Sequence, residues 1–158
     1  RLPQGTVTFD TQFTICDDTD LWIRLGLQGK IGYLDKVLSS YRQHAGSITR
    51  NKEKYAIDSL KLHLHNFQRV KNRLSALEVD QYRRRISADF ASLGYLRYRD
   101  YRQVAAREAY RKAMAMRFSY EAAVGYLKTL IPAQTLKTLR SRRDAPRPDA
   151  AEQQQGKS

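Results

Sequence analysis

Asp17, Asp18 and Asp20 fall close together in the stretch ICDDTDLWIRL, which also holds the chain's one tryptophan, Trp22. Carboxylates bunched ahead of an apolar helical run can cap the helix, meeting its free N–H groups and the positive end of its dipole. They can stand in a solvated loop, or they can work on a substrate. The cluster stands out because the chain is otherwise basic, with 29 Lys+Arg against 16 Asp+Glu and a net charge of +13. Other reactive groups are few. The single cysteine, Cys16, leaves no internal disulfide and no cysteine-based zinc site, and fits a reducing compartment. The three histidines show no familiar metal spacing. His63 and His65 are two apart, so a helix points them to different faces.

The elements that must position this cluster begin as short extended pieces. Gly5–Asp10 is β-branched and bounded by glycine, and a polar turn follows at Asp10–Gln12. Asp17 or Asp18 can cap a helix whose apolar positions are Leu21, Trp22, Leu25 and Leu27, with Gly29 as its stop. Ile31–Leu34 and Val37–Tyr41 read as two strands around Asp35-Lys36, and Arg42–Ser47 reads as a loop.

From Asn51 the pattern turns helical. One helix is expected to about Leu74, a second over Val79–Arg97 with Tyr82, Ile86, Phe90 and Leu93 inward, and a third from Arg99-Asp100 through Ala113. A fourth opens at Ser119 or Tyr120 and ends near Pro132, and a short basic helix spans Gln134–Arg143. Gly94-Tyr95, Asp100-Tyr101, Ala105-Ala106, Tyr110 and Ala113 resemble half of a tetratricopeptide-type helix pair. Only one copy is visible, so a helical appendage with alanine at close contacts is the expected outcome. The last residues, DAPRPDAAEQQQGKS, have almost no apolar bulk and are expected to be disordered. The domain division is therefore 1–50, 51–143 and a tail at 144–158.

The charge follows this division. Residues 1–50 hold 6 Lys+Arg against 5 Asp+Glu, and the remainder hold 23 against 11. A basic second module favours a polyanion or an anionic membrane surface. No apolar run approaches the roughly 18 residues that span a bilayer. The opening RLPQGTVTFD lacks the apolar core of an export signal, so a cytoplasmic protein is expected, peripheral at most on the inner membrane face.

Ordered pieces of residues 5–50 together resemble the C-terminal half of the catalytic domain of family 2 glycosyltransferases. Phe9-Asp10 is similar to that family's Phe-Asp-Glu step, with Thr11 in place of Glu. Asp17–Leu25 is similar to its Glu-Asp-x-Asp-Leu-Trp-x-Arg-Leu segment, with Asp17 in place of Glu, and Gly29 stands where a glycine ends that helix. Val37–Ser47 is similar to its Pro-Leu-x-x-Tyr-Arg-x-His-x-x-Ser segment.

The resemblance implies an α/β fold class: part of a GT-A-type domain, with short strands and one helix, then a mainly helical region. It implies an inverting transfer of sugar from a nucleotide-diphosphate donor to an acceptor hydroxyl, on a cell-envelope polysaccharide or a glycolipid. Asp18 would be the general base that takes the hydroxyl proton. Asp17 and Asp20 would support it, and Trp22 would help form the acceptor side. His44 and Arg42 would approach the donor diphosphate or a divalent metal, Mn²⁺ or Mg²⁺. The family's donor-binding half and its Asp-x-Asp metal motif would precede this stretch. The chain alone is therefore expected to be inactive and to bind no metal. The rival class is a basic helical module for nucleic acid or an anionic membrane, through Arg83-Arg84-Arg85 or Lys137–Arg143. Basic residues spread over every helix and the lack of a nucleic-acid-binding signature weigh against nucleic acid.

Overall fold

The computed structural model describes residues 8–40 and 47–144. Among these residues six α-helices follow in order: α1 Asp17–Gly26, α2 Lys52–Val70, α3 Ala76–Arg99, α4 Gln103–Met116, α5 Tyr120–Lys128 and α6 Ala133–Asp144. Single 3₁₀ turns occupy Ile48–Arg50 and Lys71–Arg73.

The helix starts are written in side chains. The Asn51 side-chain oxygen Oδ1 accepts the Lys54 N–H at 3.0 Å at the start of α2. Ser75 and Glu78 form a reciprocal capping box before α3, and the Ser119 hydroxyl accepts the Ala122 N–H at 3.1 Å before α5. Helix α3 ends in a Schellman arrangement: the Tyr101 N–H donates to the Tyr98 carbonyl and the Arg102 N–H to that of Arg97. Tyr101 holds φ at 60°, a position glycine usually fills. This turn brings α4 back along α3.

The core lies among α2, α3, α4 and α5. Ile86, Phe90 and Leu93 of α3 meet Leu60 of α2 and Ala109, Tyr110 and Ala113 of α4. Ala106, Ala109 and Ala113 are all buried, so α4 approaches α3 closely along its alanine face. The Tyr110 ring lies over two glycines. A Cβ on Gly94 would meet it at 3.1 Å, and one on Gly125 at 2.4 Å, so α5 packs at this distance only with glycine there. The Ser87 hydroxyl closes the end of α4, 2.9 Å from the Ala113 carbonyl oxygen and 3.0 Å from that of Arg117. Glu53 of α2 binds Arg97 at 3.2 Å and also Arg102, fastening α2 to the α3–α4 turn.

The α/β expectation is overturned. Among the described residues there is no strand, and the fold is mainly helical. Residues Ile31–Leu34 and the described part of Val37–Tyr41 run without regular structure. Their β-forming composition meets no partner: Val37 is 96% exposed and Tyr33 90%. A strand is held by ladder bonds to a neighbour and by burial of one face, and neither is present here. The described end of Gly5–Asp10 is likewise not a strand, and its first residues lie outside the described ones. The disordered tail expected at 144–158 lies outside them from residue 145, while Asp144 ends α6.

Candidate functional site

The acidic cluster opens α1, with Asp17, Asp18 and Asp20 all in the first turn, where carboxylates meet the positive end of the helix dipole. None of them caps it. The free backbone groups ahead of the helix are taken by Asp58, a buried residue of α2. One oxygen, Oδ2, accepts the N–H groups of Thr14, Ile15 and Cys16 at 3.0, 2.7 and 3.0 Å. Three bonds to one carboxylate oxygen are charge-assisted and fix both position and direction. Phe13 and Cys16 then pack on Leu62, one helical turn beyond Asp58, and Phe13 meets the His65 ring edge-on at 5.9 Å.

This anchorage sorts the three carboxylates. Asp20 is fully buried and binds Arg24 Nε at 2.8 Å through Oδ2. Its Oδ1 has no hydrogen bond, but Arg69 Nη1 lies 4.0 Å away and supplies charge without directed bonding. Arg24 also donates to the Thr8 carbonyl at 2.5 Å, so Asp20 braces the backbone at Thr8 through its arginine. Asp17 is half-buried. Asp18 is exposed, and its Oδ1 accepts the Thr19 N–H at 2.6 Å and hydroxyl at 3.1 Å. Trp22 follows one turn later on the same helical face and is 67% exposed. Leu27 is exposed too, and only Leu21 of the four apolar positions expected on the inner face is fully buried.

The face of α1 turned to solvent therefore presents a carboxylate and an indole ring one turn apart, on a helix fixed from below. A carboxylate held by bonds to the next residue has its second oxygen free to accept a hydroxyl proton. An exposed indole offers a flat apolar platform with a polar edge. Cys16 beneath them is no nucleophile. Burial, with the charges of Asp58, Asp18 and Asp17 added, pushes its thiol up to about 11.

The residues expected at the donor side, Arg42 and His44, lie outside the described residues. The described residues do not fit a divalent metal: no three His, Cys, Asp or Glu side chains among them converge. Asp20, turned into the core by Arg24, is drawn away from Asp18. Arg83, Arg84 and Arg85 are each exposed on α3, while their neighbour Ile86 is fully buried and Tyr82 packs on Phe67. Among the described residues, no helix is long and apolar enough to cross a membrane.

Sequence reasoning missed Asp58. Its signal is a carboxylate on the buried stripe of α2, one turn before Leu62 and two before buried Asn66. It missed the α2–α3 pair as well, in which His63 Nδ1 stands 2.6 Å from Asp89 and 3.5 Å from the Ser59 hydroxyl. Serine and carboxylate approach the same ring nitrogen. A relay needs them on opposite nitrogens, so this trio is a helix clamp and not a nucleophilic triad. His63 and His65 do serve different faces, one toward α3 and the other toward Phe13.

No family model matches the chain, and neither the curated proteins nor the solved structures give a match to it.

Proposed function

We propose that the chain supplies the acceptor side of an inverting glycosyltransferase, with Asp18 as general base and Trp22 as the platform on which the acceptor sugar rests. The observation that carries this reading is the exposed Asp18–Trp22 face of α1, held in place by the Asp58 carboxylate. An acceptor hydroxyl must lose its proton as it attacks the anomeric carbon, which a carboxylate within hydrogen-bond reach accomplishes. Asp20 and Arg24 act on the position of α1 and not on the reaction. Asp17 borders the base.

In this reading the nucleotide-sugar donor and a divalent metal, Mn²⁺ or Mg²⁺, are held outside the described residues, with Arg42 and His44 on the donor side. The acceptor is a cell-envelope glycan or lipid-linked sugar met at the cytoplasmic face of a membrane. The basic helices support such a location through attraction to anionic headgroups.

The test is acceptor-dependent release of nucleoside diphosphate, measured over a panel of nucleotide sugars with the polypeptide that carries this chain. Asp18→Asn is expected to lower turnover by about a thousandfold while leaving the melting temperature unchanged. Trp22→Ala is expected to raise the KM for acceptor more than it lowers kcat. An Asp18→Asn protein as active as the parent would sink the assignment.

A further inference from the structure

Helices α2 and α5 each pack against α3 and leave a groove between them, about 860 Å³ in volume. Small-molecule sites fall in the range of roughly 300–1,000 Å³. The groove lies in the helical bundle and shares no lining residue with α1.

Its construction follows from helical spacing. Ala88, Ser92 and Tyr95 of α3 stand on successive turns and form the floor, where two small side chains give depth. Lys52, Tyr55 and Ser59 line the α2 wall at the same spacing, and Glu121, Val124 and Lys128 line the α5 wall. Tyr110 closes the base beside Gly125. Burial pushes its phenol above the ordinary value, so it stays a neutral hydroxyl.

The lining is rich in aromatic side chains. Tyr55, Tyr95 and Tyr120 are 46%, 58% and 76% exposed. Among the described residues, their hydroxyls and the charged ends of Lys52, Glu121 and Lys128 have no hydrogen bond or ion pair. Arg85 lies 3.7 Å from Asp89, and Asp89 is already taken by His63 at 2.6 Å.

We propose that this groove binds a short stretch of acidic oligosaccharide. Sugar rings offer apolar C–H faces to tyrosine rings, and their hydroxyls donate or accept as each neighbour requires. The tyrosine and serine hydroxyls and Glu121 have the same versatility between them. Lys52, Lys128 and Arg85 match a sugar carboxylate or another anionic substituent. An acyl chain would bury the tyrosine hydroxyls without partners, at a cost. An acidic peptide would bring carboxylates to the lysines but no apolar ring faces for the tyrosines to stack on. The site stands independently of the catalytic role given to Asp18.

Fluorescence anisotropy on the whole chain tests this with four probes: a labelled oligosaccharide alternating uronic acid and neutral sugar, a neutral glycan of equal length, a glutamate-rich peptide of equal charge, and anionic phospholipid vesicles. The acidic glycan is expected to bind at least about tenfold tighter than the other three. Lys52→Glu with Lys128→Glu should weaken it about tenfold or more, and Tyr95→Ala with Tyr120→Ala should do the same. Ser92→Phe, which fills the floor, gives a third variant should either pair perturb folding, as judged by thermal melting. Asp18→Asn should bind like the parent, so loss of transfer and loss of glycan binding separate cleanly. Equal affinity in the folded groove variants, no glycan binding, or preference for the neutral glycan, peptide or vesicles would overturn the proposal.

Discussion

The helical bundle and the segment before it use apolar residues in opposite ways. In the bundle, Ile86, Phe90 and Leu93 sit against α2 and α4, and little of them reaches water. In residues 27–40, Leu27, Ile31, Tyr33, Leu34, Val37 and Leu38 are all more than half exposed. The first region closes its own core. The second carries a core's composition with none of the described residues folded over it, and among them α1 and the residues just before it are tied down, through Asp58 and Phe13. The difference teaches that apolar content alone does not make structure: the bundle's residues repeat at helical spacing and find each other locally, whereas an extended segment needs a neighbour brought from elsewhere.

The sharpest way to break this comparison is in the bundle. Ile86→Ala empties a fully buried site and is expected to cost about 4 kcal/mol, read as a large drop in the denaturation midpoint. Next is the joint. Asp58→Ala strips three N–H groups of their acceptor and should cost about 2–3 kcal/mol of docking. Limited proteolysis should then cut within residues 8–26 while the bundle melts nearly as before. A bundle that unfolds in step would show the two regions to be one cooperative unit.

Acid probes the bundle's outer fastening. Arg102, and then Arg97, hold the Glu53 carboxyl below its ordinary value of 4.5. The unfolded chain therefore binds the proton more readily, so stability from this pair is fully present above about pH 4.5 and lost as pH falls through the lower folded value. Melting temperature should decline with acid over that window, and Glu53→Gln should flatten the decline. The smallest effect belongs to the exposed segment. Tyr33→Ser and Val37→Ser should change stability by less than about 0.5 kcal/mol. A loss well above that, in chemical denaturation, would mean the segment is covered in solution and the contrast false.

The helices were legible in the sequence because their signals are local. Asn51 and Ser119 mark starts, and Ile86, Phe90 and Leu93 repeat at helical spacing, while α3 opens at Ala76 behind the Ser75 cap, three residues ahead of the expected Val79. The strands expected around Asp35-Lys36 were not, since a strand depends on a partner that composition does not reveal. In the candidate site, the acidic cluster could be located but not sorted. Nothing in the spacing of Asp17, Asp18 and Asp20 says which one Arg24 will draw inward, and the residue that holds their helix lies about forty positions away, at Asp58. Trp22 looked as suited to a core as to a surface, and anchorage from below left it outside.

The seat of Tyr110 between Gly94 and Gly125 has a consequence for spectroscopy. A ring packed this closely against two glycines is expected to turn over more readily when α5 lifts away, so its rotation is a clock for the breathing of the bundle. Slow rotation would split its two edges into separate proton resonances, and their merging on warming would time the parting of the helices. Because the same ring floors the groove, an occupant would stop that clock.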